Sequence, residues 1–392
     1  MNKLMICIVF LFIALNVKAQ SGYESILQQI EANNTTLIAL RHQTLAQKIE
    51  NRADSFLENP EVEFGHTWNL QEEVDNVMSF TITQSFDFPT AYIHHNKILN
   101  LENESAELSY KTQRAEILLL SKETCIELVY HNILAKEYSN RLEKATLTAE
   151  AFSTKLQKGE TNILEYNKAR LNLAFVRIEV AKIETQRTNL IAQLKQLNGG
   201  KEINFSHENY QSDKLPPDFE EWFVSLKNTS PDLLYLKRQI DSNKQQIKLD
   251  RALVLPKFSL SFIAERNRNE SSEAVMVGFN IPLWENLNRV RVSQAQLRAS
   301  EFAMRDIQIQ LYSQLKSQYT KAISLQQHIR EFRQALTEYN NESLLKRALD
   351  AGEISLLEYL QEIEYYYEIM NNMLETERDF ELIVAQFWAA GL

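Results

Sequence analysis

Residues able to carry chemistry are present in this sequence but not assembled for it. None of the seven His has a His partner three or four residues away, the spacing that sets two imidazoles on one helix face for zinc. His94 and His95 are adjacent and read as surface residues of a long helix. Cys125, within a helical pattern, reads as a small buried hydrophobe rather than a nucleophile. There is no phosphate-binding glycine loop and no glycine-flanked nucleophile. These residue types therefore point away from an enzyme, a resident metal or a cofactor. What recurs instead is a charged glycine turn, "KGETNILEY" from Lys158 and "AGEISLLEY" from Ala351. Gly159 and Gly352 offer the left-handed backbone that ends a helix. Thr161 and Asn162 in one turn, and Ser355 in the other, can cap the helix that returns. Lys158, Glu160 and Glu353 then read as exposed tip groups.

The elements that position these turns are duplicated. Pro89 precedes Gly159 by 70 positions, and Pro282 precedes Gly352 by the same 70. The organisation expected is a signal peptide at 1–19, a first repeat at 20–200, a connector at 201–218 and a second repeat at 219–392. Helical patterns cover roughly 26–57, 90–157 and 162–197, then 219–253, 283–349 and 355–388. After the first glycine turn Leu173, Val176, Val180, Ile183, Leu190, Leu194 and Leu197 fall at heptad spacing, as do Tyr366, Ile369, Met373, Phe380, Ile383 and Phe387 after the second. An ordinary helix bundle shows the same spacing. Length argues against it, since each arm of about 68 residues would extend about 100 Å. The two shorter helices of a repeat, laid end to end, match the long one.

Composition agrees with long helices: only 8 Gly and 7 Pro, with a formal net charge of -10. No basic stripe is present, which excludes nucleic acid as partner. The start "MNKLMICIVFLFIALNVKAQ" carries a Lys, an apolar run from Leu4 to Val17 and a small-residue cleavage site, which is the pattern of a secretory signal peptide. Its removal would leave Cys125 alone, so no intramolecular disulfide is expected. No later run of eighteen apolar residues suggests a membrane-spanning helix.

Between short and long helices the period changes to two. Val62, Phe64, Trp68 and Leu70 alternate with Glu61, Glu63, Gly65, Thr67 and Asn69. Met78, Phe80, Ile82, Phe86 and Phe88 face Ser79, Thr81, Thr83, Ser85 and Asp87. The second repeat does the same with Phe258, Leu260 and Phe262, then Val275, Val277, Phe279 and Ile281. Each pair reads as a hairpin about a polar loop, "QEEVDN" or "ERNRNESSE". A half-buried hairpin over a soluble core would alternate likewise. Small hydroxylated residues on the polar face and strands of about nine to eleven residues favour a bilayer. A sheet in hydrocarbon must close, and four strands are too few, so spanning requires oligomerisation.

Taken together, the leader, "NPEVEF" opening one hairpin, "QSFDFP" and "GFNIPL" closing the two, and the paired glycine turns resemble the outer-membrane efflux protein family, the TolC family. The resemblance covers nearly the whole chain after the leader. It implies a mostly α fold with a small membrane β part: a coiled-coil helical barrel and four strands per protomer in a homotrimeric twelve-stranded barrel. It implies the outer membrane of a Gram-negative bacterium, with the helical tunnel in the periplasm. The family's partners are a periplasmic adaptor and an inner-membrane pump of RND or ABC type, in efflux or type I secretion, besides outer-membrane lipid. By the same resemblance Lys158, Gly159, Glu160, Thr161 and Asn162, with Ala351, Gly352, Glu353, Ile354 and Ser355, are adaptor-docking tips. Glu358 matches the family's acidic constriction and Glu165 is its repeat mate. The next acidic position of the family falls on Gln361, with Glu362 beside it, a departure from the usual charge pattern. Compact length and the Asn59-Pro60-Glu61 start are similar to the heavy-metal (cobalt-zinc-cadmium or copper) branch. The rival reading is a soluble periplasmic coiled-coil adaptor or scaffold, which would need Gly-rich β modules that the sequence lacks.

Overall fold

A computed structural model of the protein describes residues 24–68, 76–211 and 214–390. The leader, Asn69, Leu70 and most of the first hairpin loop lie outside them. In chain order the elements are α1 (Glu24–Asn33), α2 (Thr35–Ala53), β1 (Glu61–Thr67), β2 (Val77–Phe86), α3 (Pro89–Gln157) and α4 (Ile163–Leu197). The second repeat follows with α5 (Phe219–Thr229), α6 (Pro231–Ala252), β3 (Lys257–Arg266), β4 (Ser271–Asn280), α7 (Arg289–Glu338), α8 (Glu342–Ala351) and α9 (Leu356–Ala389). Two compact units draw on both repeats. The first holds residues up to Ile38, Gln113–Trp222 and Ser313 onward; the second holds Ala39–Thr112 and Phe223–Tyr312.

Several helices expected to run unbroken are interrupted, each for a local reason. Asn34 separates α1 from α2 because its Oδ1 accepts the Leu37 backbone N–H at 2.9 Å, which is an N-cap inside the pattern. Ser230 and Pro231 make the matching break, with Pro at the first helical position where no N–H is needed. The second arm, expected over 283–349, starts at Arg289 and stops at Glu338. Asn340 Oδ1 accepts the Glu342 N–H at 3.2 Å, and the Asn341 carbonyl accepts from Leu345 at 2.9 Å, so paired asparagines restart the helix as α8. The first arm has no such pair and is one helix of 69 residues.

Within the second unit the strands form one antiparallel sheet in the order β1-β2-β3-β4. The register places Val62 opposite Ile82, Phe64 opposite Phe80, Ile82 opposite Phe262 and Leu260 opposite Val277, so one face is largely apolar, with His66, Arg266 and Glu273 toward the hairpin-loop end and Gln84 toward the other. The other face is mostly polar, with small hydroxylated residues beside Glu61, Glu63 and Glu265: Gly65 pairs with Ser79, Gly278 with Ser259, and the Thr83 and Ser261 hydroxyls bond at 2.8 Å. A Cβ on Gly65 or on Gly278 would meet the opposing serine hydroxyl, so each Gly-Ser pair shares the space of one side chain.

Within the first unit the heptad residues of α4 face inward, with Leu173, Val176, Ile183 and Leu194 buried. Cys125 is fully buried beside Leu128, Val129 and Leu194, and burial pushes its thiol up to about 12. The end of α4 abuts the start of α2: Asn34 Nδ2 donates to the Leu197 carbonyl at 2.7 Å, and Asn33 Nδ2 donates to Asn198 Oδ1 at 3.0 Å. This is an end-to-end helix junction of the kind the lengths suggest. Asn34 is buried and acts as both cap and tie, so Asn34→Ala should cost about 1–3 kcal/mol. Asn34→Asp, which keeps the cap acceptor and loses the donor, should fall between Asn34→Ala and wild type in chemical denaturation. Equal stability of all three chains would refute the junction's role.

Candidate functional site

Both glycine turns lie in the first unit and are built alike. Gly159 has φ 74 and Gly352 has φ 76. Around the first, the Gly159 N–H donates to the Leu156 carbonyl at 3.1 Å and the Glu160 N–H to the Lys155 carbonyl at 2.8 Å. Around the second, Gly352 donates to Leu349 at 3.2 Å and Glu353 to Ala348 at 2.9 Å. Each pair of bonds satisfies carbonyls that a helix end leaves open, and only glycine takes the required backbone freely.

The returning helices are capped differently. Asn162 Oδ1 accepts the Glu165 N–H at 3.0 Å at the head of α4. Ser355 and Glu358 form a reciprocal capping box at the head of α9: the Glu358 N–H donates to Ser355 Oγ at 3.2 Å, and the Ser355 N–H donates to the Glu358 carboxylate at 2.8 Å. The backbone bond from Ser355, then that from its side chain, holds the Glu358 carboxyl below its ordinary range although it is exposed. Glu165 has another partner, since its Oε2 accepts the Leu356 N–H of the opposite tip at 3.3 Å. That bond joins residues 191 positions apart and no local pattern announces it.

Beneath the turns the helices clasp a shared apolar cluster. Ala145, Ala149 and Phe152 of α3 meet Ala169, Leu173 and Val176 of α4, Leu349 of α8, and Leu356, Tyr359 and Ile363 of α9. Small residues on α3 let the returning helices approach. Further along, buried Arg141 lies 4.5 Å from the Tyr138 ring centroid and 4.0 Å from that of Tyr367, and donates to Asn371 Oδ1 at 3.0 Å. Glu342, just past the Asn340-Asn341 break, pairs with Lys144 and accepts a bond from the Tyr367 hydroxyl at 3.4 Å.

Of the expected tip residues, Lys158, Gly159, Glu160, Asn162, Ala351, Gly352, Glu353 and Ser355 are exposed, whereas Thr161 and Ile354 are half-buried. Gln361 and Glu362 are exposed on α9. The pattern did not single out Ile163, Leu164 and Leu357, which leave apolar surface at the tips, 67% of it for Leu164. His94 and His95 depart from the surface reading. Both are half-buried, with His94 Nδ1 3.1 Å from Gln245 Oε1 and His95 Nε2 3.1 Å from the Asp54 carbonyl, so they tie neighbouring helices. Among the described residues no group of His, Cys, Asp and Glu is arranged to hold a metal, and no helix is long and apolar enough to cross a membrane.

Known proteins share sequence features with part of the chain and the fold with nearly all of it. Residues 222–380 match the model of the outer membrane efflux protein family. That stretch of the chain is similar to the family. Its members are transport ducts of the outer membrane and not enzymes. No curated protein matches the chain by sequence. Solved structures extend the likeness in fold to nearly the whole chain. CusC, in a study of folding and transmembrane channel formation, superposes with a TM-score of 0.79 at 16% identity over 94% of this chain and 91% of its own. The outer membrane protein VceC of Vibrio cholerae gives 0.78 at 14% identity, covering 94% and 95%. The open state of the MtrE outer membrane channel of Neisseria gonorrhoeae gives 0.76 at 11% identity, covering 93% and 88%.

Both tip glycines leave free space for a Cβ, so Gly159→Ala or Gly352→Ala adds backbone strain without a clash. Each should destabilise by about 1–2 kcal/mol, read from the thermal midpoint, and unchanged midpoints would contradict the turn assignment. The capping box gives a pH dependence with a definite sign. Because the folded Glu358 carboxyl lies below its ordinary 4.5, its contribution is complete above that value and is lost as pH falls through the lowered one. Wild type and Glu358→Gln should therefore converge in stability under acid, and a difference persisting there would be the contrary result.

Proposed function

We propose that this protein is the exit duct of a tripartite efflux system, passing solutes passively from the periplasm to the outside. The observation that carries this is the four-stranded sheet with one largely apolar face, one mostly polar face and, among the described residues, an unpaired outer side on both β1 and β4. Hydrocarbon does not tolerate open sheet edges, so spanning strands of this kind must close with other copies. Three copies would give a twelve-stranded barrel, and the long helices of each would line a periplasmic tunnel. The exposed tips, with Lys158, Glu160 and Glu353 for charge and Ile163, Leu164 and Leu357 for apolar contact, suit a periplasmic adaptor that links the duct to an inner-membrane pump of RND or ABC type. Chemical energy enters at that pump, and the duct makes and breaks no bonds.

The gate in this proposal lies where α9 leaves its turn. Glu358, Gln361 and Glu362 are exposed there, and Glu165 holds the first tip to the second. Three copies of these carboxylates would concentrate cations at the mouth, which fits heavy-metal cations as cargo. A soluble scaffold is the poorer reading, because it leaves the apolar sheet face without a solvent.

Two measurements test the duct. Purified protein in a planar bilayer should form pores that favour cations, and neutralising Glu358 and Glu362 together should move the reversal potential toward zero. Deleting the gene should raise cellular accumulation of the exported solute, with recovery on complementation. No pores together with unchanged accumulation would sink the proposal.

A further inference from the structure

One cleft of the first unit lies apart from the tips and has no part in the duct reading. It holds about 1060 Å³ between α3, α7 and α9, with the connector between the repeats along one side. That connector is pinned from two helices. Asn132 Nδ2 of α3 donates to the His207 carbonyl at 2.9 Å, and the Tyr319 hydroxyl of α7 donates to the Pro216 carbonyl at 3.0 Å. Ile133, Ile329, Leu374 and Phe380, drawn from all three helices, give the cleft apolar sides.

Charge in this cleft is sorted by depth. Lys214 and Arg330 are exposed at its mouth, and neither has an ion-pair partner among the described residues. Arg333 and Lys136 beside them are engaged, with Glu377 at 2.7 Å and with Glu208 at 2.7 Å. Deeper lie Glu381, 6% exposed, and Glu377, whose side chain is 13% exposed. Both bonds from Arg333 fall on Glu377 Oε1, which leaves Oε2 to a further donor. Tyr210 lies against the same floor. Its buried hydroxyl has no hydrogen-bond partner, and burial, then Glu377 and Glu381, hold its pKa above the usual phenol range. Buried polar groups in folded proteins are nearly always bonded, so this floor is short of a hydrogen-bonding group.

We infer that the cleft binds a zwitterion with a primary ammonium at one end, a carboxylate at the other and an aliphatic stem between, as in a free diamino acid of the lysine type or a peptide ending in one. The ammonium goes to Glu377 and Glu381, the stem lies along Ile329 and Phe380, and the carboxylate stays at the mouth with Arg330 and Lys214. A guanidinium takes a carboxylate through two parallel bonds. An inorganic anion suits the mouth but is repelled by the floor, and a neutral apolar solute leaves both ends unmet. The site stands whether or not the chain forms a duct.

Calorimetric titration of the full-length protein, extracted in detergent, tests this with four probes. They are L-lysine, alanyl-lysine, norleucine, which keeps the stem and loses the ammonium, and 1,5-diaminopentane, which loses the carboxylate. L-Lysine should bind about tenfold more tightly than norleucine or diaminopentane, since each lacks one charge-assisted contact. Tighter binding of alanyl-lysine would support a peptide end as the natural ligand, and tighter binding of L-lysine the free amino acid. Glu377→Gln should erase the gap between lysine and norleucine, and Arg330→Gln the gap between lysine and diaminopentane. A general loss of structure would instead weaken every probe alike. No heat with L-lysine, as when a second copy covers the cleft, would overturn the inference. So would equal affinity for norleucine, or inorganic phosphate binding as tightly as lysine.

Discussion

The hydrogen-bonding capacity of two strand edges governs this molecule. β2 and β3 have a neighbour on either side, but β1 and β4 have one each. The exposed apolar residues of β4, Val275, Val277 and Phe279, sit on a strand with no Lys or Pro to discourage pairing. In water such an edge invites association, and in hydrocarbon each unmet N–H or C=O costs several kcal/mol. No further strand among the described residues covers either edge. In the proposed duct a second copy supplies the partner, and because β1 differs from β4 that contact would be head-to-tail, the kind that can close as a ring. The proposed oligomer and its aqueous interior answer the same shortage of strands.

The helical parts meet a related difficulty at their ends. Every helix terminus leaves backbone groups without intrahelical partners, and this chain satisfies them with glycine turns, asparagine caps and one carboxylate reaching across. The two repeats share the glycines but not the caps: Asn162 serves one, and the Ser355–Glu358 box the other. They also differ in the arm, unbroken in α3 and restarted at Asn340-Asn341 before α8. Duplication supplied the frame, and the asymmetry sits beside the tips, where the proposed gate lies.

Much of this was legible in the residues because the signals are local. Gly159 and Gly352 announce their turns, alternation at Val62–Phe64 and Phe258–Phe262 announces strands, and heptad spacing after Gly159 announces the buried face of α4. Helix breaks were less legible, since Asn34, Ser230 and Asn340 each occur where a helix also tolerates them and only the observed side-chain bonds decide. Contacts remote in sequence were not legible at all. Glu165 reaches Leu356 across the repeat, His94 and His95 turn out half-buried against neighbouring helices, and the cleft at Arg330 and Glu377 depends on three helices and the connector. Glu358 carried a signal with two readings: the structure shows the cap, and the constriction belongs to the proposal.

Ring closure by the sheet edges is most directly tested by counting chains. Protein extracted in detergent from the outer-membrane fraction, measured by size-exclusion chromatography with light scattering, should contain three copies per particle after correction for detergent. Particles of one or two chains would leave the edges of β1 and β4 without partners and would contradict the account.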